Sequence, residues 1–117
     1  MTTPWPIELR LRRADRVLEV DFDNGETYAV PAALLRAMTP SAAERGHGGG
    51  SEAPLALDFD GVGLTGAAPV GAYAVRLLFD DGHDSGLYTW AALHRIGRDQ
   101  AQLNAEHRRL LAEAGAA

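Results

Sequence analysis

The chain has 117 residues and a formal net charge of −5, so a single core is expected and a nucleic-acid partner is disfavoured, because phosphate neutralisation dominates such binding. It contains no Cys and no Lys, which excludes thiolate metal sites, disulfides, cysteine nucleophiles, lysine Schiff bases and a P-loop lysine. No apolar run approaches the ~20 residues of a membrane span, and the first residues lack the order of a secretory signal, so we expect a cytoplasmic protein without a membrane partner.

Alternating side chains predict the first strands. Apolar and charged residues alternate along residues 7–12 and again along residues 18–22, which is the pattern of strands with one solvent-facing side. Asn24-Gly25 is a strong hairpin signal and turns the chain into residues 26–30. The sequence therefore predicts a first strand at residues 7–12, followed by a hairpin of two strands that turns at Asn24-Gly25.

Charged residues on the first two strands have two interpretations. If these strands are antiparallel neighbours, Arg10 and Arg12 can face Glu19 and Asp21, and such cross-strand ion pairs are common on exposed sheet faces. The alternative is that the Arg side chains bind an acidic partner. Cross-strand pairing is the simpler interpretation and the one we expect.

The middle of the chain is expected to be less regular. Pro31 suits the first position of a helix, so PAALLRAM predicts about two helical turns that end before Thr39-Pro40. Residues 41–54 are rich in Gly and small side chains and predict a loop. LALDF and VGLTGA, the apolar pieces that follow, are compatible with a second hairpin turning at Asp60-Gly61.

The second half ends in a strand and a helix. Residues 71–79 place Tyr73, Val75 and further apolar residues on one face, which predicts a strand. From Trp90 onward the apolar residues recur at every third, fourth or seventh position as far as Leu110, which predicts a helix docked on the core.

Two stretches of the chain repeat one pattern. FDNGETYAVPAALLR, residues 22–36, and FDDGHDSGLYTWAALHR, residues 79–95, share Phe-Asp-x-Gly, then a strand, then x-Ala-Ala-Leu-x-Arg. Each copy predicts a strand, a tight turn, a second strand and the start of a helix. The second copy has two extra residues within a polar turn, and this difference directs attention to that turn.

These elements predict one α+β domain over residues 1–117, with mostly antiparallel sheet, a short helix after the first hairpin and a longer C-terminal helix. The core is expected at about residues 4–97, with a helical extension at residues 98–117. A Leu and Ala stripe on this extension predicts a homodimer as one hypothesis.

The polar turn contains the first candidate site. His83 follows Asp80-Asp81-Gly82 and precedes Asp84-Ser85, and a neighbouring carboxylate orients the ring of a metal-binding or acid–base His. The alternative is a turn without further function, because Asp and Gly are residues that tight turns require.

His47 is the second candidate. It lies in RGHGGGSE, where Gly-rich backbone can approach a ligand closely, although a plain connector has the same composition. A joint metal site of His47, His83 and Asp84, completed by Asp81 or Glu44, has the imidazole and carboxylate ligands that suit zinc or iron. Hydrolysis is rejected because Ser85 does not lie in the nucleophile motif that accompanies HGGG in esterases.

The remaining His and aromatic residues are assigned to structure. His94 and His107 have Arg neighbours on the predicted terminal helix, and we expect them at the solvent or at an interface. Trp5, Tyr73 and Trp90 are expected in the core or at its rim.

The chain resembles the N-terminal-domain family of gamma-butyrobetaine hydroxylase, which bacteria often encode as a separate protein. The matching pieces are PWPIELRLRRADRVLEVDFDNGETYAVPAALLRAMTPSAAERGHG and PVGAYAVRLLFDDGHDSGLYTWAALHRIG, which cover most of residues 4–97. The specific parts are FDDGHDSGLYTW and the run L-R-x-x-x-P-S-A-x-x-x-G-H.

The resemblance implies a small β-rich module that holds a structural zinc through three Cys and one His, beside a separate oxygenase domain. The matching His is His83, and the three Cys would fall at or near Thr39, Ser41 and Glu44, none of which is a thiol. Of the four zinc ligands, the resemblance therefore implies only His83 in this chain, as a former or altered ligand. The oxygenase domain has no counterpart here. Similar domains fused to P-loop iron–sulfur carrier ATPases imply a role near metallocofactor assembly.

The predicted function is a non-catalytic accessory domain that binds a protein partner, with the surface around His47, His83 and Asp84 as the binding region. A divalent metal, zinc or iron, is a predicted ligand of this surface, and no catalytic residue is assigned. The competing hypothesis is a small metal-dependent enzyme that uses His83 as a ligand or base.

Overall fold

In the described residues, two three-stranded antiparallel sheets, each continued by a helix, form the fold. The computed structural model describes residues 4–39, 54–55, 57–83 and 86–115. The first sheet contains β1 (Pro6–Arg12), β2 (Val17–Phe22) and β3 (Thr27–Pro31), followed by α1 (Ala32–Ala37). The second contains β4 (Leu64–Val70), β5 (Ala74–Phe79) and β6 (Gly86–Thr89), followed by α2 (Trp90–Arg98) and α3 (Gln100–Gly115). The predicted α+β class is confirmed.

The repeat in the sequence is a repeat in the structure. Both copies run from the middle strand of a sheet through a tight turn and an edge strand into a helix. The Phe22 amide donates to the Glu26 carbonyl at 2.8 Å, and the Phe79 amide donates to the His83 carbonyl at 3.0 Å. Gly25 and Gly82 occupy the same left-handed conformation, with φ of 90° and 92°, which side chains other than Gly rarely adopt.

One hydrophobic core joins the inner faces of both sheets to the helices. Tyr88 is fully buried in this core, and its hydroxyl donates to the Leu35 carbonyl of α1. This bond satisfies a polar group that would be costly to bury alone. The other large residues of the core that are essentially inaccessible to solvent include Phe22, Leu18, Leu34, Met38, Leu77, Leu93 and Ile96.

The charged face of the first sheet has the predicted arrangement. Nitrogens of Arg10 lie 2.9 Å from Glu19 and from Asp21, and Arg12 lies 2.9 Å from Glu19. Hydrogen bonds from Arg10 lower the pKa of both carboxyl groups. The cross-strand interpretation of this Arg cluster is therefore confirmed. Ile7 departs from the predicted pattern, with 68% of its surface exposed, because the register shifts between Pro6 and Glu8.

The predicted hairpin at Asp60-Gly61 is wrong. The described residues of LALDF form no strand, the turn at Asp60-Gly61 leads into β4, and the second sheet turns instead between β4 and β5. Phe59 explains the difference, because its ring is buried between α1 and α3, against Arg36 on one element and His107 on the other. The segment therefore packs on helices and does not pair as a strand.

The C-terminal region is also more divided than predicted. Asp99 separates α2 from α3. The expectation that His94 and His107 lie at the solvent or at an interface is wrong. The His94 side chain is only 14% exposed, and Nε2 of the buried His107 lies 2.7 Å from the Leu57 carbonyl oxygen.

In the described part of the chain, no helix has the length and apolar character needed to cross a membrane.

Candidate functional site

The polar turn between β5 and β6 is attached to the end of α1. Oδ1 of Asp81 accepts the His83 backbone N–H at 3.0 Å, while Oδ2 accepts Nε–H of Arg36 at 2.9 Å. The first bond closes the turn, and Asn24 closes the equivalent turn in the same way by accepting the Glu26 N–H. The second bond is an ion pair, which the neutral Asn24 cannot form in the first repeat.

Arg36, at the end of α1, is the buried cation beneath this turn. Its side chain is 8% exposed, and its guanidinium carbon lies 4.6 Å from the centre of the Phe59 ring. Burial alone would raise the pKa of Asp81, but bonds from the His83 N–H and the Arg36 guanidinium lower it below its usual value. The Asp81 carboxylate is thus kept charged beside a cation that the core holds in place.

His83 completes the contact between the turn and α1. Its Nε2 lies 2.9 Å from Oγ1 of Thr39, just beyond the end of the helix, and the ring centre lies 5.9 Å from that of Phe79. The ring is half-buried. Which of the two partners donates depends on the His tautomer. We call the group Arg36, Thr39, Asp81 and His83 the His83 corner.

Gly86 fixes the position of Thr39 in the His83 corner. A Cβ atom on Gly86 would lie 2.9 Å from Cε1 of Tyr88 and 3.0 Å from Oγ1 of Thr39. Both distances are too short for ordinary contacts, so only Gly allows the start of β6 to pass this close to the Thr39 hydroxyl. Burial of Tyr88 and positioning of Thr39 therefore depend on one residue.

A second corner joins the turn between β2 and β3 to helix α2. Nε2 of His94, on α2, lies 2.7 Å from Oε1 of Glu26, and the same carboxylate accepts bonds from Tyr28 and Asn24. The His94 ring packs edge-on against Phe22 and Tyr28. Each hairpin turn is thus bound to the helix of the opposite repeat, by Glu26 in one case and Asp81 in the other.

Glu26 makes the stability of the fold sensitive to acid. Bonds from Tyr28, His94 and Asn24 lower its pKa from 4.5 to about 2. A group with a lowered folded-state pKa stabilises the protein above its unfolded-state pKa, and the stability is lost as the pH falls toward the folded-state value. We therefore expect Glu26→Gln to reduce the pH dependence of the urea midpoint between pH 4.5 and 2. Equal slopes for wild type and variant would contradict this, and Glu113→Gln on α3 is the control.

The predicted metal ligands are only partly described. His83 lies in the corner, whereas His47, Asp84 and Glu44 fall outside the described residues. In the described ranges, no group of three or more His, Asp or Glu side chains is placed to hold a metal ion. Metal binding by His83, His47 and Asp84 therefore stays a prediction.

The zinc site implied by the resemblance does not fit this chain. Thr39 stands at or near the position of one Cys ligand, and its hydroxyl contacts the matching His, so the two positions are indeed neighbours. A neutral hydroxyl does not replace a thiolate in a structural zinc site, and the chain has no Cys. A hydrogen bond here joins the two positions that the implied zinc would join.

Sequence reasoning misses three of the residues that build these corners. The sequence pattern assigns Arg36 to a helix without a role, does not single out Gly86, and gives Glu26 only a place in a strand. The repeat contains a signal for Arg36, because both copies end in Arg at this position.

Comparisons with known proteins agree with this architecture. Residues 9–94 match the family described as gamma-butyrobetaine hydroxylase-like, N-terminal. An NMR solution structure with 39% identity and a TM-score of 0.84 covers 100% of this chain and 89% of its own, and a second with 38% identity and a TM-score of 0.81 covers 97% and 89%.

A crystal structure of an Acidithiobacillus ferrooxidans protein of unknown function from the DUF971 family is also similar. It is 34% identical with a TM-score of 0.66, over 79% of this chain and 91% of its own. No curated protein matches the chain. The match over most of its length shows that the chain belongs to the gamma-butyrobetaine hydroxylase-like N-terminal domain family.

Proposed function

We propose that the protein is a non-catalytic accessory domain that binds a protein partner through the His83 corner. The observation that carries this proposal is the contact of His83 Nε2 with the Thr39 hydroxyl. A general base needs a lone pair directed at its substrate, whereas this nitrogen contacts a side chain of the same corner. The polar groups of the corner are used to fix one another's positions.

The same contacts make the corner suitable for recognition. Asp81 and His83 are held in one arrangement by the buried Arg36 and Thr39, so little conformational freedom is lost when a partner binds. The exposed turn residues beside His83 add polar groups at the surface. A cytoplasmic location and a role beside metallocofactor assembly are parts of this proposal that rest on the sequence and on the family resemblance.

The proposal is tested by quantitative capture of partners from the native cell extract. We expect wild-type protein to retain a defined partner that Thr39→Val and His83→Ala lose, because both changes remove the contact that fixes the corner. Arg109→Gln, on the exposed side of α3, is the matched control and should retain it. Retention of the same proteins by all four forms would overturn the proposal.

Divalent metal binding by His83, His47 and Asp84 is the second candidate. His83 is half-buried, so part of its ring reaches the surface, and it directly precedes Asp84 in the sequence, an imidazole beside a carboxylate that favours this candidate. Imidazole and carboxylate suit zinc and ferrous iron. Calorimetric titration of chelator-treated protein with each metal should give binding that His83→Ala abolishes. No heat of binding, or binding unchanged in His83→Ala, would remove the metal and the enzyme hypothesis that depends on it.

A further inference from the structure

The outer face of the second sheet combines apolar residues with one charged residue. Val75, Leu77 and Phe79 of β5 point into the core, so alternation along the strand directs Arg76 and Leu78 outward. Across the sheet, Arg76 lies between Ala68 and Leu87, and Leu78 lies beside Gly66. Leu87 has 38% of its surface exposed. We call the outward set Gly66, Ala68, Arg76, Leu78 and Leu87 the second outer face.

The repeat shows what is particular about this face. Phe22 and Phe79 are equivalent residues of the two repeats. When β2 and β5 are aligned on them, Arg76 is equivalent to Glu19 and Leu78 is equivalent to Asp21. Glu19 and Asp21 belong to the ion-pair network with Arg10 that covers the first sheet. The second sheet has neither carboxylate at the equivalent positions, so it lacks the groups that build this network.

Arg76 is the single charge of the second outer face. Its side chain is exposed, and within the described residues it forms no ion pair. Leu87 is exposed and Leu78 is partly exposed, and an apolar sheet face that reaches the solvent is typical of a surface that binds another protein. A lone guanidinium within it selects partners by charge, because an apolar surface without a carboxylate would leave Arg76 desolvated and unpaired.

We propose that the second outer face binds a partner protein whose apolar surface carries a carboxylate opposite Arg76. Charge complementarity argues against a second copy as the occupant, because a two-fold axis through this face would bring two Arg76 side chains together. This surface is formed by residues other than those of the His83 corner, so it extends the proposed function with a separate contact.

Two synthetic peptides test the chemistry of this face. Both are amphipathic helical peptides with the same Leu stripe, and they differ only in a central Glu or Lys. We expect the Glu peptide to shift amide resonances of residues 66–70, 74–78 and 86–89 in ¹⁵N-labelled protein. We expect it to bind at least about tenfold more tightly than the Lys peptide.

Charge reversal on the protein provides the matched control. In Arg76→Glu the preference between the two peptides should reverse, and in Arg76→Gln it should disappear. Both substitutions are at an exposed position, so the fold should be retained. Equal affinities for the two peptides in the wild type, or shifts confined to other residues, would overturn the proposal. A dimer in sedimentation equilibrium that Leu87→Glu dissociates would also overturn it, in favour of a second copy.

Discussion

Asp81→Asn is expected to lower the free energy of unfolding by about 2 kcal/mol. Asn can still accept the His83 N–H, as Asn24 does for Glu26 in the first repeat, so the turn should remain intact. The substitution removes the negative charge that Asp81 places beside Arg36, whose side chain is 8% exposed, and so weakens the ion pair that joins the turn to α1. Removing one member of a fully buried pair costs about 3–5 kcal/mol, and the 28% exposure of Asp81 reduces that figure.

Urea denaturation of the two proteins at neutral pH measures this difference. Asp99→Asn is the matched control, because Asp99 pairs with the neighbouring Arg98, whose side chain is 55% exposed. Exposed pairs contribute about 0–1 kcal/mol, so the control should change stability little. Equal effects of the two substitutions would show that the Arg36–Asp81 pair does not hold the turn to α1.

Gly97→Ala is expected to destabilise the protein by about 2 kcal/mol, although Ala normally favours a helix interior by about 1 kcal/mol over Gly. A Cβ atom on Gly97 would lie 2.8 Å from Cγ and 2.9 Å from Cβ of Tyr28. These atoms are close to the backbone of β3, so they cannot move aside as the tip of a long side chain can. The added methyl should therefore disturb the contact of α2 with β3.

Gly115→Ala is the control for this effect. Gly115 lies at the end of α3, and a Cβ atom added there would meet no atom of a packed neighbour within 4 Å. Helix propensity alone should therefore determine the effect of Gly115→Ala on stability, and this variant should not be destabilised. Thermal unfolding of both variants measures the comparison. A Gly97→Ala protein as stable as the wild type would show that Tyr28 does not pack against the α2 backbone as tightly as these distances indicate.

Local signals predicted the regular elements of the fold well. Asn24-Gly25 located the first hairpin because tight turns need residues that tolerate left-handed backbone. The Phe-Asp-x-Gly repeat located the second for the same reason. Residues 55–59 could not be assigned correctly from sequence, because an apolar run serves equally as a strand or as a segment packed on helices. Phe59 contacts helices that are distant in sequence, and these contacts make the segment pack on helices and not pair as a strand.

The candidate site was predictable only in part. His83 and Asp81 stood out because the turn is rich in polar residues, and the family resemblance placed Thr39 near His83. The repeat marks Arg36 as a recurring residue but not as a buried one, because its burial depends on Phe59 and Asp81, which are distant in sequence. Of the aromatic residues, Trp5 lies at the rim, 49% exposed and edge-on to Trp90, but Tyr73, expected on the same strand face as Val75, precedes β5 and is 60% exposed.

The ¹⁵N chemical shifts of the His83 ring test most directly whether a hydrogen bond with Thr39 holds the His83 corner. In wild-type protein we expect one dominant tautomer, with an Nε2 resonance that moves in Thr39→Val and returns in Thr39→Ser, which restores the hydroxyl. Identical ring shifts in wild type and Thr39→Val would contradict a corner that is held by this bond.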